Sequence, residues 1–482
     1  MEGRDIAWDF PTLRNLLKMS FFSIVNESSF QIAIFVELAL IASILSRDNL
    51  AAYAAISSTL TFALNIFNFL VTVTMAQVSK AVGGKRWSKV GSKLLVALTT
   101  GLGVGIVCAV LLFSIRDHVF QFMGLTPRVR QLASTPYALR LISLPFMMMQ
   151  RVSVGTLGGY QRLKTTAILA VTTSILEVGS QVYALHFLDG GLLYATIGRV
   201  VVSIVGCGLA LCCVLAFPPV EAGGSIKLVS CFRKKASNES TMLSATLFED
   251  KNVVKTEGCM QHICEYMSAS GDVTIRSLLL TGSVYAMSVA AGNLGTPTFA
   301  AHQIGITLWM VTSYVCDGFA DVGTILGGGI LGSNHPDKYN RALILRDMLM
   351  LFGLSMGILA GVGMFLFRDV ILGLFAVESK KATFVLLKSI WPILCAMQVI
   401  NASVFVLDGL IYAAHAFRFV RNLMIIACIF VFAPLMIVAT SVSCFHSLFY
   451  IWVAKTALNS VRALGAVWLW YVKLPANWRE TA

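Results

Sequence analysis

The sequence predicts an all-α polytopic membrane protein. About twelve transmembrane helices would form two six-helix bundles, related by a pseudo-two-fold axis along the membrane normal. Three observations predict this. First, apolar stretches of near-spanning length follow one another along the chain, and a bilayer core of about 30 Å needs roughly 20 apolar residues per helix. Second, 57% of the 482 residues are hydrophobic and 13% are charged, with a mean hydropathy of +0.78. Soluble chains carry about 25% charged residues, and a soluble fold this apolar would expose large sticky patches. Third, the stretches divide into two halves that echo each other.

In chain order, the first half gives Met19–Leu45, Ala51–Val78, Leu94–Ile115, Leu132–Leu157, Thr166–Phe187 and Leu192–Phe217. The second half gives Thr274–Ala291, Phe299–Leu326, Ala342–Phe367, Leu386–Ala413, Leu423–Thr440 and Phe445–Tyr471. The organisation is therefore an N-terminal lobe over 1–217, a polar linker over 218–272 and a C-terminal lobe over 273–482. The linker opens with Pro218-Pro219 and carries Arg233-Lys234-Lys235, a composition that reads as solvated and partly disordered.

Net charge is +13. The basic residues collect between spans, where the positive-inside rule accounts for them, so no nucleic-acid partner is expected. One set of alternate loops carries Lys80, Lys85, Arg86, Lys89 and Lys93, then Arg162 and Lys164, the linker, Lys338 and Arg341, and Arg418 and Arg421. The other set, which includes Arg47, Arg116, Arg368 and Lys380, is diluted by acids. The first set should be cytoplasmic, with both termini beside it. Residues Met1–Phe10 are acidic and lack a cleavable signal pattern. Cys259, His262 and Cys264 fall short of the four ligands of a zinc site, so no metal or cofactor is expected.

The repeat shows in Leu50-Ala-Ala-Tyr-Ala-Ala-Ile56, which opens the second span, and Phe299-Ala-Ala-His-Gln-Ile-Gly305, which opens the eighth. Pro145 in the fourth span and Pro392 in the tenth form a second pair. Six spans per half is an even number, so both halves keep one orientation and enclose a cavity between two bundles.

A charge at the bilayer centre costs about 2.5–3.5 kcal/mol on insertion scales, so intramembrane polar residues should face a cavity or a partner. Asn26 and Glu37 share a face of the first span, three turns apart, beside Glu27. Glu37 is the proton-site candidate, and a static hydrogen bond to a neighbouring helix is the alternative. Asn65 and Asn68 on the second span and Glu177 and Gln181 on the fifth could meet it, although for the asparagines alone a helix–helix hydrogen bond is the favoured reading. Asp317 and Asp321 on the eighth span, with His302 and Gln303, and Gln398, Asn401 and Asp408 on one face of the tenth form a second cluster, for which a substrate or cation site is one reading and a structural network the other. Asp321 reads as solvated. Arg140, Arg151, Arg199, Lys455 and Arg462 also lie in or near spans, where some would snorkel or pair with acids; Arg140 is the candidate to line the substrate cavity, where basic side chains would favour an anionic solute.

Ala300-Ala301-His302-Gln303-Ile304, with Leu308-Trp309 and Asp317-Gly318-Phe319-Ala320, resembles the eighth span of the multidrug and toxic compound extrusion (MATE) family, DinF-like branch. Val406-Leu407-Asp408-Gly409 resembles that branch's tenth span. Gly124-Leu125-Thr126-Pro127, with Tyr137, Arg140 and Pro145, is similar to its third loop and fourth span. Ala76-Gln77 with Gly83-Gly84 is similar to the end of its second. The resemblance implies a two-lobed antiporter that exports an organic solute, a drug-like cation or an organic anion such as citrate, against H⁺ or Na⁺. It places Glu37 where the family has a first-helix aspartate. The family's fifth-span Asn/Asp pair is replaced here by Glu177, Ser180 and Gln181.

The expectation is a multi-pass, monomeric secondary transporter that exchanges a small organic substrate for H⁺ or Na⁺ across a lipid bilayer. A lipid or glycolipid flippase of related architecture is the competing reading. A membrane-embedded enzyme has little support, because neither a His-Glu-x-x-His motif nor a nucleotide-binding glycine loop is present.

Overall fold

The computed structural model describes residues 12–123, 125–188, 191–219, 222, 259–374 and 381–481. Residues 1–11, Gly124, most of the linker, Lys380 and the side chains of Arg47, Cys259 and His262 lie outside the described residues.

Among the described residues the chain is helical, without strands. The N-lobe comprises α1 (Leu13–Ile44), α2 (Arg47–Ile66), α3 (Phe69–Gly83), α4 (Trp87–Ser114), α5 (Arg116–Phe122), α6 (Pro127–Ile142), α7 (Leu144–Gly159), α8 (Leu163–Val182) and α9 (Gly191–Ala216). The C-lobe comprises α10 (Cys259–Asn293), α11 (Thr296–Gly332), α12 (Lys338–Leu366), α13 (Arg368–Leu374), α14 (Lys381–Ala413), α15 (Phe417–Ile426), α16 (Ala433–Ser441), α17 (Leu448–Trp468) and α18 (Leu474–Thr481).

Ten helical stretches among the described residues are long and apolar enough to cross a membrane. The other two expected spans differ for visible reasons. The fourth is divided into α6 and α7, of 16 residues each, at Ser143. Pro145 sits in the first turn of α7, where its missing N–H costs nothing. The twelfth, α17, carries Lys455 and Arg462 within its length. The second span is likewise broken, between α2 and α3 at Phe67 and Asn68. The helix of the seventh span begins at Cys259, so its first turns lie in the stretch read as linker.

The proline pair is not a structural match, because Pro145 opens α7 while Pro392 lies inside α14. A better correspondence joins the ends of these spans. Gln161 after α7 and His415 after α14 both take a left-handed backbone, with φ of 63° and 57°. A non-glycine residue seldom adopts that conformation, so its recurrence at the same turn of each lobe marks the repeat.

Each lobe packs around its own helices: α1 on α8, and α3 and α4 on α7, in the first; α11 and α12 on α14, and α14 on α17, in the second. Phe35, Phe122 and Phe187 project outward at more than 70% exposure, as lipid-facing side chains would. The lobes meet through α3 and α1 against α11. One apolar core runs from Leu70, Val73 and Val78 of α3 into Val322 and Ile325 of α11 and Leu410 of α14. A second core, around Trp309, Trp391 and Trp452, is confined to the C-lobe. The joint is tight where α3 and α11 end. A Cβ on Gly83 would overlap the Gly329 carbonyl, and one on Gly332 would overlap the Lys80 carbonyl. Glycine is required there because two backbones touch. The lobes are thus in backbone contact at the end that carries the basic loops.

Candidate functional site

The buried charges form three groups, one in each lobe and one on their boundary. In the N-lobe, α1 delivers Glu37, α2 Tyr53, α8 Glu177 and α9 Arg199. Glu37 is fully buried and does not face the lipid. Its Oε2 accepts a hydrogen bond from Tyr53 Oη at 2.6 Å and is paired with the Arg199 guanidinium. Arg199 also donates to Tyr53 Oη at 2.6 Å and lies 3.7 Å from Glu177. Arg140, expected to line a substrate cavity, instead belongs here, close enough to feel the charges of Arg199, Glu177 and Glu37. With two acids and two guanidiniums the group is neutral when fully ionised, which is how buried charges are tolerated. Gln181 is buried beside it and donates to the Ala195 carbonyl at 3.0 Å, fixing α8 to α9.

Asn26 and Asn68 do not join Glu37. Asn26 Nδ2 donates to Glu27 Oε1 at 2.9 Å, and Asn68 Oδ1 accepts from Arg151 at 3.3 Å. Glu27 and Arg151 attract each other, so these four side chains form a separate group on the N-lobe's inner wall. Facing it from the C-lobe are Asp317 and Asp321 of α11, both within electrostatic range of Glu27. Asp321 is not solvated as the sequence suggested. It is half-buried, and its Oδ2 accepts from Ser23 Oγ of α1 at 2.6 Å. Asp317 is half-buried and, among the described residues, has neither a hydrogen bond nor an ion pair. The cations within electrostatic range of it, Arg276 and Arg462, are committed elsewhere.

That commitment is to Asp408, whose Oδ2 receives Arg276 and Arg462, each at 2.7 Å. Arg462 also reaches Asn459, which donates to Asn401 Oδ1 at 2.8 Å. Gln398 accepts from Thr312 at 2.7 Å. The Gln398, Asn401 and Asp408 face of α14 is therefore a hydrogen-bonded network that ties α14 to α10, α11 and α17, with Asn401 Nδ2 and Arg276 Nε left without a hydrogen bond among the described residues. A carboxylate already holding two guanidiniums offers little to a further cation. His302 is buried, 3.2 Å from Ser288 Oγ and beside Trp452. The neighbouring Gln303 is half-buried and makes no side-chain hydrogen bond among the described residues. Lys455, fully buried, stands over the Trp309 ring at 4.9 Å. No group of three or more potential metal ligands occurs among the described residues.

Sequence reasoning did not assign Tyr53, Arg199, Arg276 or Arg462 to these groups. Their signal was present: an arginine inside an apolar run must find an acid. Which acid it finds is a property of helix packing, not of spacing along one helix.

Three comparisons bear on this arrangement. A family model described as MatE matches residues 21–182 and 273–438, one segment in each lobe. Protein DETOXIFICATION 42 of Arabidopsis thaliana is 22% identical over 381 residues, covering 77% of this chain and 64% of that protein. DNA damage-inducible protein F of Escherichia coli K12 is 24% identical over 289 residues, covering 59% of this chain and 56% of its own length. The chain thus spans less than two thirds of the length of these curated relatives. Among solved structures, a MOP superfamily transporter from Pyrococcus furiosus superposes with a TM-score of 0.80 at 13% identity, covering 96% of this chain and 95% of its own.

Proposed function

The chain belongs to the MatE family, and on that premise we propose that it is a secondary transporter, not an enzyme, that exports an organic solute in exchange for H⁺ or Na⁺. The lobes would alternate about the acids on their boundary, with the basic end cytoplasmic by the positive-inside rule.

The observation that carries this reading is Asp317. Intramembrane acids without a structural partner mark ion pathways, because the cost of placing them there has to be offset by a use. Among the described residues Asp317 is unpartnered, and it sits where the two lobes face each other, within electrostatic range of Glu27 and Asp321. A cation arriving there would be shared between acids of both lobes, which links its binding to their relative position. Glu37 is a second candidate. It could act only by exchanging partners within its pair with Arg199 and Tyr53, so its role would be to report the state of the N-lobe to α9.

The test is solute flux in proteoliposomes, with proton and sodium gradients imposed separately, using a labelled organic cation and labelled citrate as probes. Gradient-driven accumulation of either probe supports the reading. Gradient-independent scrambling of a labelled phospholipid with no solute flux would replace it with a flippase.

A further inference from the structure

At the basic end a cavity of about 710 Å³ lies across the boundary between the lobes. Its N-lobe wall carries Lys80 from the end of α3, and Arg86, Lys89 and Lys93 from the start of α4. Its C-lobe wall carries His415, in the turn after α14, and Arg418 of α15. Lys80, Arg86 and Arg418 are exposed to solvent, so their charges are available to a ligand. Two acids of α10 also line it, and each has a basic neighbour: Asp272 accepts from Arg421 at 2.6 Å, and Glu265 lies 3.9 Å from Lys93. The net potential is positive.

His415 registers that potential. Its Nε2 is 3.2 Å from the Ala76 carbonyl of α3, a contact that crosses the boundary. Burial, and then the charges of Lys80 and Lys93, push its imidazole down to about 3. Positive charge of the N-lobe is therefore felt on the C-lobe wall. Bringing two basic walls together without a counter-charge costs energy, which an anion between them would remove.

We propose that this cavity binds a phosphate-bearing polyanion, supplied by a lipid headgroup or by a soluble phosphorylated compound, and that the bound anion bridges Lys80 and Arg86 to Arg418 and holds the basic ends of the lobes together. The volume is that of a small-molecule site. Arginine forks and lysine point charges are the side chains that recognise phosphate. The site lies beside the α3–α11 contact and uses none of Asp317, Glu27 or Glu37, so it stands whatever solute is exported.

The experiment uses the full chain in nanodiscs. The soluble arm titrates inositol 1,4,5-trisphosphate. The lipid arm compares discs of phosphatidylcholine with discs containing phosphatidylinositol 4,5-bisphosphate, and reads lipid retention by native mass spectrometry. Spin labels at Ser88 and Asn334 report the separation of the basic ends. Lys80→Gln with Arg418→Gln should weaken binding about tenfold or more. Arg368→Gln, a half-exposed arginine at the other end, should leave it unchanged. Binding in the soluble arm alone assigns a free anion, and binding in the lipid arm alone assigns a headgroup. The label distance should shorten or sharpen in the arm that binds. No binding in either arm, equal loss in the control variant, or binding that leaves the label distance unchanged would overturn the proposal.

Discussion

Ser23 of α1 donates a 2.6 Å hydrogen bond to Asp321 of α11, so a hydroxyl of one lobe holds a carboxylate of the other. Removing the donor leaves a half-buried carboxylate short of a partner. Ser23→Ala should destabilise the protein by about 1–3 kcal/mol, measured by SDS titration in mixed micelles. Asp321→Asn, whose amide oxygen can still accept from Ser23, should cost less. Equal losses would mean that the bond contributes little.

The Glu37–Arg199 pair makes an asymmetric prediction. Arg199→Met removes the guanidinium paired with Glu37 and leaves Glu37 and Glu177 to share Arg140 alone, a change worth about 3–5 kcal/mol for a buried pair. Glu37→Gln leaves Arg199 with Glu177, and Gln can still accept from Tyr53, so it should cost less. The double variant should be more stable than Arg199→Met alone in the same titration.

Two glycines separate packing from propensity. Gly83 has no room for a Cβ against the Gly329 carbonyl, whereas nothing lies within 4 Å of a Cβ at Gly103. Gly83→Ala should widen the Ser88–Asn334 label distance at the basic end. Gly103→Ala should leave that distance unchanged and stabilise α4 slightly, as alanine is favoured over glycine within a helix.

His415 predicts a pH dependence. Its imidazole is pushed from an ordinary 6.5 down to about 3 by burial and by Lys80 and Lys93. Between those values the unfolded chain binds the proton and the folded one does not, so stability is present above pH 6.5 and falls as pH drops. With the half-buried ring partly screened, roughly 1–2 kcal/mol should be lost between pH 6.5 and pH 5. His415→Gln should flatten that part of the profile. An unchanged slope would remove His415 as its source.

Much of this fold was legible because a bilayer restricts the choices. Long apolar runs had to be helices, and an even number of spans per half had to keep both lobes in one orientation. The basic loops likewise marked one end of the bundle. The site was less legible. Helical spacing put Asn26 and Glu37 on one face, yet they serve different groups, because α1 meets α2, α8 and α9 near one end and the lobe boundary near the other. Arg140 read as a cavity residue until packing placed it beside Glu177. Asp321 read as solvated because sequence does not reveal that Ser23 stands opposite. The pairing of Asp408 with Arg276, 132 residues earlier, is a tertiary fact with no local signature.

The most direct test of the central claim is solute accumulation by Asp317→Asn in proteoliposomes under an imposed proton or sodium gradient. Gradient-driven accumulation should fall at least tenfold, about 1.4 kcal/mol of lost coupling, while solute-for-solute exchange persists. A variant that responds to the gradient as the unaltered protein does would show that Asp317 does not carry the coupled cation.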